Sequence, residues 1–275
     1  MPEGKADLRI AGRRLFQWEE ILDSFRRELR RGVDAAVFTY VSNVFGYILP
    51  VEKLAALCRE AGVPFILDAA QAAGSLKVSM ELGADFIAMP GHKGLYGPQG
   101  TGLLLCGGEG AKPLLYGGTG SMSRLQDMPP DLPDRLEAGT HNMPGIAGLL
   151  EGIRFVRRQG VDAIAARERR VAQRAAQGLE RLPGVRIFWD RELRHQTGVV
   201  SFVTEGRNCE EVGEALARRG IALRAGLHCA PLAHRTAGTL ETGTLRLSTS
   251  FFNTPDQADR LVWSVSRVLR ENVEL

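Results

Sequence analysis

Two short apolar runs, Val63–Leu67 and Phe86–Met89, constrain the fold of this chain more than any other feature. Each run is too short for a buried helix and has turn-forming residues nearby, a pattern typical of strands buried on both faces of a parallel sheet. Asp68 follows the first run, and His92 and Lys93 follow the second. In open α/β sheets, ligands bind outside the carboxyl ends of the strands. The sequence therefore predicts a site where a carboxylate and an amine stand at one rim of the sheet.

The neighbouring elements extend this sheet. A strand over Val33–Val41 precedes a helix over Val51–Ala61, which Gly62 is expected to end. A fourth strand, Gly100–Cys106, follows a short Gly/Pro loop and can therefore run antiparallel. The alternation of strands and helices predicts an α/β fold with a mainly parallel sheet and crossover helices. A first helix over Trp18–Arg31 is expected to pack few apolar residues.

The second half of the chain predicts a smaller α+β domain. We place a large domain at residues 1–160, and a connector helix with the small C-terminal domain at residues 161–275. Between the main sheet and the connector lies Tyr116–Met143, a long irregular stretch of the kind that usually has a function or forms an interface. The connector is an Arg-rich helix from Asp162 to about Leu182. Strands are predicted at Val185–Trp189, Gly198–Thr204, Ile221–Arg224 and Thr244–Ser248.

Capping residues mark the helices of this half. Asn208 is the expected N-cap of a helix over Cys209–Arg219, and Thr254 with Gln257 has the pattern of a capping box for the last helix. A further helix begins at Pro144. Its predicted inward positions are Ile146, Leu149, Leu150, Ile153 and Val156.

Composition excludes several classes of protein. The 275 residues carry a net charge of +3, which gives little attraction to nucleic acid or to a membrane surface. No apolar run reaches membrane-spanning length, and the first residues, MPEGKADLRIAG, lack a signal-peptide core. Four cysteines without a CxxC pair indicate a reducing compartment. We therefore expect a cytoplasmic protein.

The chemistry of Asp68 and Lys93 is open to two interpretations. Lys93 can be an ordinary surface residue, or it can bind an aldehyde cofactor, since Gly94 and Gly97 allow the backbone to approach a ligand closely. Asp68 can simply cap the next turn, or it can pair with a protonated pyridine nitrogen. In the second case, Gln71 would lie near the phenolic oxygen of the ring. His92, which would then face a phosphate, is equally well explained as a structural histidine.

Cys229 differs from the other three cysteines, which have the pattern of packing residues. It lies in a predicted loop beside His228 and five residues after Arg224, and positive neighbours favour the nucleophilic thiolate. A metal site built from His228, Cys229 and His234 would lack a recognisable fourth ligand. Arg246, within a strand, needs an acidic partner or a substrate carboxylate, and an internal salt bridge is the simpler explanation.

Together these residues resemble the class V aminotransferase family of pyridoxal-phosphate enzymes, and within it the cysteine desulfurase branch. The resemblance runs with gaps from about Val33 to the C-terminus. The matching segments, in the family's order, are SNVFGYILPVEKLAALCREAGVPFILDAAQAAG, GHKGLYGPQGTGLLL, GGTGS, RLEAGTHNMPGIAGL, RAGLHCAPLAH and GTLRLSTSFFNT.

This resemblance implies a fold and a cofactor. The fold would be the large domain of pyridoxal-phosphate-dependent transferases followed by a small domain, and the cofactor would be pyridoxal 5'-phosphate. Lys93 would bind the cofactor's aldehyde, and Asp68 would pair with its pyridine nitrogen. Gln71 would contact the phenolic oxygen and His92 the phosphate.

The remaining roles concern the substrate, L-cysteine. Asn43 would contact the cofactor or the substrate. Cys229 would take the substrate's sulfur as a persulfide and release alanine. Arg246 would hold the substrate carboxylate, with Arg224 nearby.

The resemblance also implies partners. Thr119 and Gly120 would lie in a loop that reaches the phosphate of a partner subunit, so a homodimer is expected, together with a possible sulfur-acceptor protein. Selenocysteine lyase or another class V aminotransferase activity is an alternative. A third alternative is an incomplete relative that serves as a binding or scaffold subunit.

Two departures from the family pattern motivate that third alternative. Pro90 stands where the family has a hydroxyl residue on the phosphate, and proline has no N–H to donate. The family's N-terminal part, with its phosphate loop and its ring-stacking residue, has no counterpart in residues 1–32. An uncovered sheet edge is therefore expected near Val33–Val41.

Overall fold

The first half of the chain forms the predicted sheet. The computed structural model describes residues 7–271 except residue 109. Strands β1 (Ala36–Thr39), β2 (Phe65–Asp68) and β3 (Phe86–Pro90) pair in parallel, and β4 (Gly102–Cys106) pairs antiparallel with β3. The predicted strands and the antiparallel direction of the fourth are confirmed, with β1 and β2 shorter than expected. The first six residues and the last four of the predicted domains lie outside the described residues.

Two helices cover one face of this sheet. Helix α1 spans Trp18–Arg30 and α2 spans Val51–Ala61, the latter ended by Gly62 in a left-handed conformation, as predicted. The expectation that α1 packs few apolar residues is wrong, because it buries Ile21, Leu22 and Phe25 in the first core.

The opposite face of the sheet is largely open, so the prediction of strands buried on both faces is wrong for the described residues. Phe65 and Leu67 of β2 are almost completely buried, but their neighbours Ile66 and Asp68 point the other way. Pairing places Val37 beside Ile66 on that outer face, and Val37 is 66% exposed. Within the described residues, β1 and β4 form the two edges of the sheet, in agreement with the uncovered edge expected near β1.

Helix α3, Met143–Gln159, supports the loop after β3. The side chain of Asn142 accepts a hydrogen bond from the Gly145 amide and caps the helix. The predicted inward positions Ile146 and Leu150 are wrong, since both side chains are exposed. The helix instead buries a stripe that contains two glycines, which lets its backbone approach the loop closely. This stripe consists of Gly145, Leu149, Gly152 and Val156.

Helix α4, Val161–Glu180, leads to the second sheet. Its buried residues, many of them alanines, contribute to the second core. The antiparallel order of the second sheet is β5-β6-β8-β7. Its strands are β5 (Val185–Phe188), β6 (Val199–Thr204), β7 (Arg224–Gly226) and β8 (Thr244–Ser248).

The predicted strand Ile221–Arg224 is displaced. Ile221 and Leu223 pack against the second core without strand pairing, and β7 begins at Arg224, where pairing with β8 starts. The expected caps are confirmed: Asn208 caps α5 (Cys209–Ala217), and a capping box begins α7 (Pro255–Arg270). A short helix, α6 (Pro231–Ala237), follows β7 and was not predicted. None of the helices in the described ranges is long and apolar enough to cross a membrane.

Candidate active site

Asp68 and Lys93 follow neighbouring strands of the first sheet. The exposed carboxylate of Asp68 ends β2, and one of its oxygens accepts a hydrogen bond from the Ala70 amide at 2.8 Å. This bond is the turn cap that the sequence allowed. Lys93 lies three residues beyond the end of β3 and is exposed. The parallel pairing of β2 with β3 puts a carboxylate and an amine at the same rim, as expected.

A network of backbone contacts fixes the loop that carries Lys93. The Gly91 amide donates to the Thr101 carbonyl and the Gly97 amide donates to the Gly91 carbonyl, both at 2.8 Å. A side chain on Gly94 would collide with the carbonyl of Ala73. The glycines after Lys93 therefore allow the chain to approach its own backbone, so their presence is explained without a ligand.

A cavity of about 800 Å³ opens over the outer face of the sheet beside Asp68. Its walls are the exposed side of β3 and β4 and the segment Leu132–Glu137, and of the predicted site residues it includes Asp68. The strand residues that face it are apolar, among them Leu104, which is 50% exposed. The lining carries two carboxylates, those of Asp68 and Glu137. An apolar strand face with the Asp68 carboxylate at its edge is suited to a planar ring that carries a protonated nitrogen.

Cys229 lies in the loop between β7 and α6, with its side chain exposed. The guanidinium of Arg224 is 3.6 Å from its sulfur, which confirms that a cation neighbours this thiol. His228 and Cys229 both adopt positive φ angles, 51° and 60°. In the described residues, no group of three or more His, Cys, Asp or Glu side chains could hold a metal.

Arg246 lies on β8 and is half-buried. It donates from Nη1 to the backbone carbonyl of Asn43 at 2.8 Å, so this contact is to a carbonyl instead of the salt-bridge carboxylate that was the simpler expectation. Among the described residues, its buried Nε has no hydrogen-bond partner. Burial lowers the pKa of Arg246, and the nearby Arg224 lowers it further. A half-buried cation with an unused donor is suited to an anionic ligand.

The other predicted site residues lie in turns and loops of the first half of the chain. Gln71 is half-buried in the turn after β2, and His92 is exposed. Thr119 and Gly120 lie in the irregular stretch before α3, where the Thr119 hydroxyl donates to the Met122 carbonyl at 3.1 Å. Their assignments stay predictions.

Two features of the site were missed from the sequence. Asn43 was considered only as a ligand contact, but its side-chain amide donates to the His228 carbonyl at 2.6 Å. His228 was considered as a metal ligand and as a positive neighbour of Cys229, but it is buried and bonded to Thr244, and burial lowers its pKa to about 4. The contact of Asn43 with His228 spans 185 positions, so no local pattern could have indicated it.

The residues present fit most of pyridoxal phosphate. Asp68 suits the ring nitrogen and the Lys93 amine suits the aldehyde, while the unused donor of Arg246 suits a substrate carboxylate. The phosphate is less well provided for, because Pro90 offers no donor. Of the residues predicted for the site, His92 is the one expected to contact it.

The fold is of the type found in pyridoxal-phosphate-dependent transferases, and the chain belongs to the class V aminotransferase family. The family model, Aminotransferase class-V, matches residues 8–261. Among curated relatives, "Probable cysteine desulfurase 2" of Mycobacterium leprae is 37% identical over 256 residues. That match covers 90% of this chain and 60% of the relative, so the chain spans about three fifths of the relative's length.

Solved structures agree with this assignment. The apo structure of cysteine desulfurase from Thermococcus onnurineus NA1 has a TM-score of 0.83 and 32% identity, over 90% of this chain and 63% of that one. The cysteine desulfurase CsdA (S-sulfonic acid) from Escherichia coli also has a TM-score of 0.83, with 29% identity over 93% of this chain and 64% of that one. The α/β fold class is therefore confirmed.

Proposed function

We propose that this chain carries the nucleophile and the cofactor lysine of a pyridoxal-phosphate-dependent cysteine desulfurase. The observation that supports this most is the environment of Cys229. Its exposed thiol lies beside the Arg224 guanidinium. The half-buried Arg246, whose Nε is an unused donor, interacts electrostatically with both Arg224 and Cys229. A thiol next to two cations suits an amino-acid substrate that brings both a sulfur and a carboxylate.

The proposed reaction balances without a further reactant. Pyridoxal phosphate supplies an electron sink for negative charge at the substrate's α-carbon. Lys93 holds the cofactor and moves a proton at that carbon. The Cys229 sulfur attacks the sulfur of L-cysteine, so an S–S bond forms, the Cβ–S bond breaks and its electron pair stays on carbon, where it is protonated. Cys229 thiol and L-cysteine thus become Cys229 persulfide and L-alanine.

The other chain residues would orient the reactants. Asp68 would keep the ring nitrogen protonated, and Gln71 would lie at the phenolic oxygen. Arg246 would bind the substrate carboxylate, with Asn43 beside it. Thr119 and Gly120 would contact a partner subunit's phosphate in a homodimer, which rests on the family resemblance.

The exposure of Cys229 is relevant to the fate of the sulfur. A persulfide on an exposed loop is accessible to a second thiol, so transfer to an acceptor protein in the cytoplasm is part of the proposal. The exposed position contrasts with Cys58 and Cys209, which are buried and whose thiol pKa values are raised by burial, that of Cys58 to about 11.

The test is persulfide and alanine formation from L-cysteine with added pyridoxal phosphate. We expect alanine release together with a sulfur adduct on the Cys229 peptide, both lost in Cys229→Ala. Cys58→Ala is the control, because Cys58 is buried and is not among the residues that line the cavity beside Asp68, and it should retain both. Full sulfur release by Cys229→Ala would overturn the assignment of the nucleophile. Cofactor binding without turnover of cysteine would favour selenocysteine lyase or transamination, and lack of binding would favour the scaffold subunit.

A further inference from the structure

We propose that Asn43 and His228 are positioning residues that clamp the Cys229 turn between the two halves of the molecule. The proposal rests on the proposed role of Cys229 as nucleophile. It gives Asn43 a task other than ligand contact, and it gives His228 a task that none of the family motifs assigned.

The first observation is the backbone of the turn. Two consecutive non-glycine residues, His228 and Cys229, adopt left-handed φ angles of 51° and 60°. Residues with a side chain rarely adopt this backbone conformation, and they keep it only where neighbouring contacts enforce it. The position of the Cys229 sulfur therefore depends on whatever holds these two residues.

The second observation is how the turn is held. The Asn43 amide donates to the His228 carbonyl at 2.6 Å. The His228 ring is 3% exposed, and its Nε2 lies 3.1 Å from the Thr244 carbonyl and 3.0 Å from the Thr244 hydroxyl. Because a carbonyl can only accept, Nε2 carries the ring proton. The backbone and the side chain of His228 are thus fixed from two sides.

The third observation is that this clamp is continuous with Arg246. Thr244 and Arg246 lie on the same strand, β8, and Arg246 donates to the backbone carbonyl of Asn43 at 2.8 Å. Asn43 therefore joins the Cys229 turn and the proposed carboxylate-binding arginine to the first half of the chain. A shift in any one of them would change the distance between nucleophile and substrate.

His228 is neutral in this arrangement, which suits a positioning role. Burial, together with the neighbouring Arg246, lowers its pKa to about 4, so the ring keeps the same donor pattern at neutral pH. His228 holds the turn through the ring and through its own carbonyl, and it forms no part of the reacting groups.

The chain offers a matched control nearby. His234 is also fully buried, and its Nδ1 lies 2.8 Å from the Thr239 hydroxyl. That pair has a similar burial and the same chemistry, but it lies within α6 and the residues directly after it. The His234 ring also lies 5.7 Å from the His228 ring, between centroids, and contacts the Leu227 backbone, so the control keeps His234 and removes only the Thr239 hydroxyl. Loss of this bond should affect stability while the contacts of His228 with Asn43 and Thr244 stay in place.

The experiment compares Asn43→Asp, His228→Leu, His228→Gln and Thr239→Val in the full chain. Amide hydrogen exchange of residues 226–230, measured without cofactor, reports the clamp itself. We expect faster exchange in Asn43→Asp and His228→Leu, and near-normal exchange in Thr239→Val. His228→Gln, whose amide can replace Nε2–H as donor to Thr244, should restore most of the protection.

The rate of persulfide formation shows how loss of the clamp affects the reaction. Since a misplacement of about 1 Å can cost about 100-fold in rate, we expect kcat to fall by about that factor in the first two variants. The KM of His228→Leu for L-cysteine should change little, and His228→Gln should recover kcat. Unchanged exchange in Asn43→Asp and His228→Leu would overturn the clamp, and so would faster exchange with normal kcat. If the wild-type chain forms no persulfide, the proposed function fails, and the exchange result alone decides the clamp.

Discussion

At the scale of single residues, the charge around Cys229 matters more than its exposure. The Arg224 guanidinium lies 3.6 Å from the thiol sulfur, and Arg246 adds a second positive charge on the adjacent strand. An anionic reagent should therefore reach this sulfur faster than a neutral one of the same size. The proposed substrate, L-cysteine, also carries a carboxylate, so the same field would favour its binding.

The variant Arg224→Gln tests whether the positive charge around Cys229 attracts anionic reagents. We expect the ratio of the Cys229 alkylation rates with iodoacetate and iodoacetamide to fall by about tenfold in low salt, because one of the two cations is removed. The measurement is peptide mass spectrometry over time. Arg218→Gln, which removes an exposed arginine of the same domain near Glu214, should leave the ratio unchanged. An unchanged ratio in Arg224→Gln would show that Arg224 does not act on the thiol.

At the scale of elements, the fit of α3 against the Lys93 loop is unusually close. A methyl group on Gly152 would overlap the carbonyl oxygen of Leu95 and approach the Gly97 amide. Gly91 and Gly97 in turn lie against Leu149. The helix therefore packs against the loop that carries Lys93 and supports it.

Gly152→Ala should destabilise the protein although alanine favours helix by about 1 kcal/mol. Overpacking of this kind costs about 1–3 kcal/mol, and the loop of Lys93 has to move to relieve it. Urea unfolding gives the free energy. Gly148→Ala on the same helix is the control, since its added methyl meets only the Pro98 ring at 3.2 Å. Equal stability of the two variants would contradict the close packing of α3.

Elements with local signals were predictable, and those decided by a distant partner were not. Pro50 directly precedes α2 and Gly62 ends it, and the bounds of this helix were predicted correctly. Helix α3 has apolar residues on two stripes. Only its contact with the loop that carries Lys93 determines that the stripe containing Leu149 is the buried one. The start of β7 is set by pairing with β8 and not by the apolar residues at Ile221–Leu223.

The same division holds for the site. The placement of Asp68 and Lys93 follows from strand order, because carboxyl ends of adjacent parallel strands share a rim. The role of Asn43 in the clamp depends on a contact between residues far apart in the chain. The open outer face was not predictable either, because short apolar strands look the same whether one face or both are covered.

At the scale of the whole molecule, the two halves are joined by buried polar contacts. The Ser201 hydroxyl donates to the Val44 carbonyl, and Gln196 donates to that of Phe45. A second junction centres on Tyr96, whose hydroxyl accepts a hydrogen bond from the Phe251 amide at 3.2 Å and also contacts Glu168. Glu168 is 8% exposed, so this junction contains an almost fully buried carboxyl group.

Glu168 should make stability depend on pH. Burial raises its pKa from 4.5 to about 7, against smaller opposing effects of Tyr96 and Arg169. A raised carboxyl pKa means that the stabilising protonated form is fully present below pH 4.5 and is lost as the pH rises through 7. The corresponding loss in the free energy of unfolding is about 3 kcal/mol at most. Glu168→Gln, which stays neutral, should flatten the melting temperature between pH 5 and 8, and an identical pH profile in the variant would rule out this source.

The most direct test of the account is to trap the cofactor on the chain. The chain has five lysines, Lys5, Lys53, Lys77, Lys93 and Lys112. Lys77 is paired with Glu81, which raises its pKa, and Lys93 stands at the sheet rim next to Asp68. Borohydride reduction of the chain with pyridoxal phosphate, followed by peptide mass spectrometry, should place the label on Lys93. Lys93→Arg should abolish this label, and Lys77→Arg should not. Absence of label, or equal label on all accessible lysines, would contradict the account.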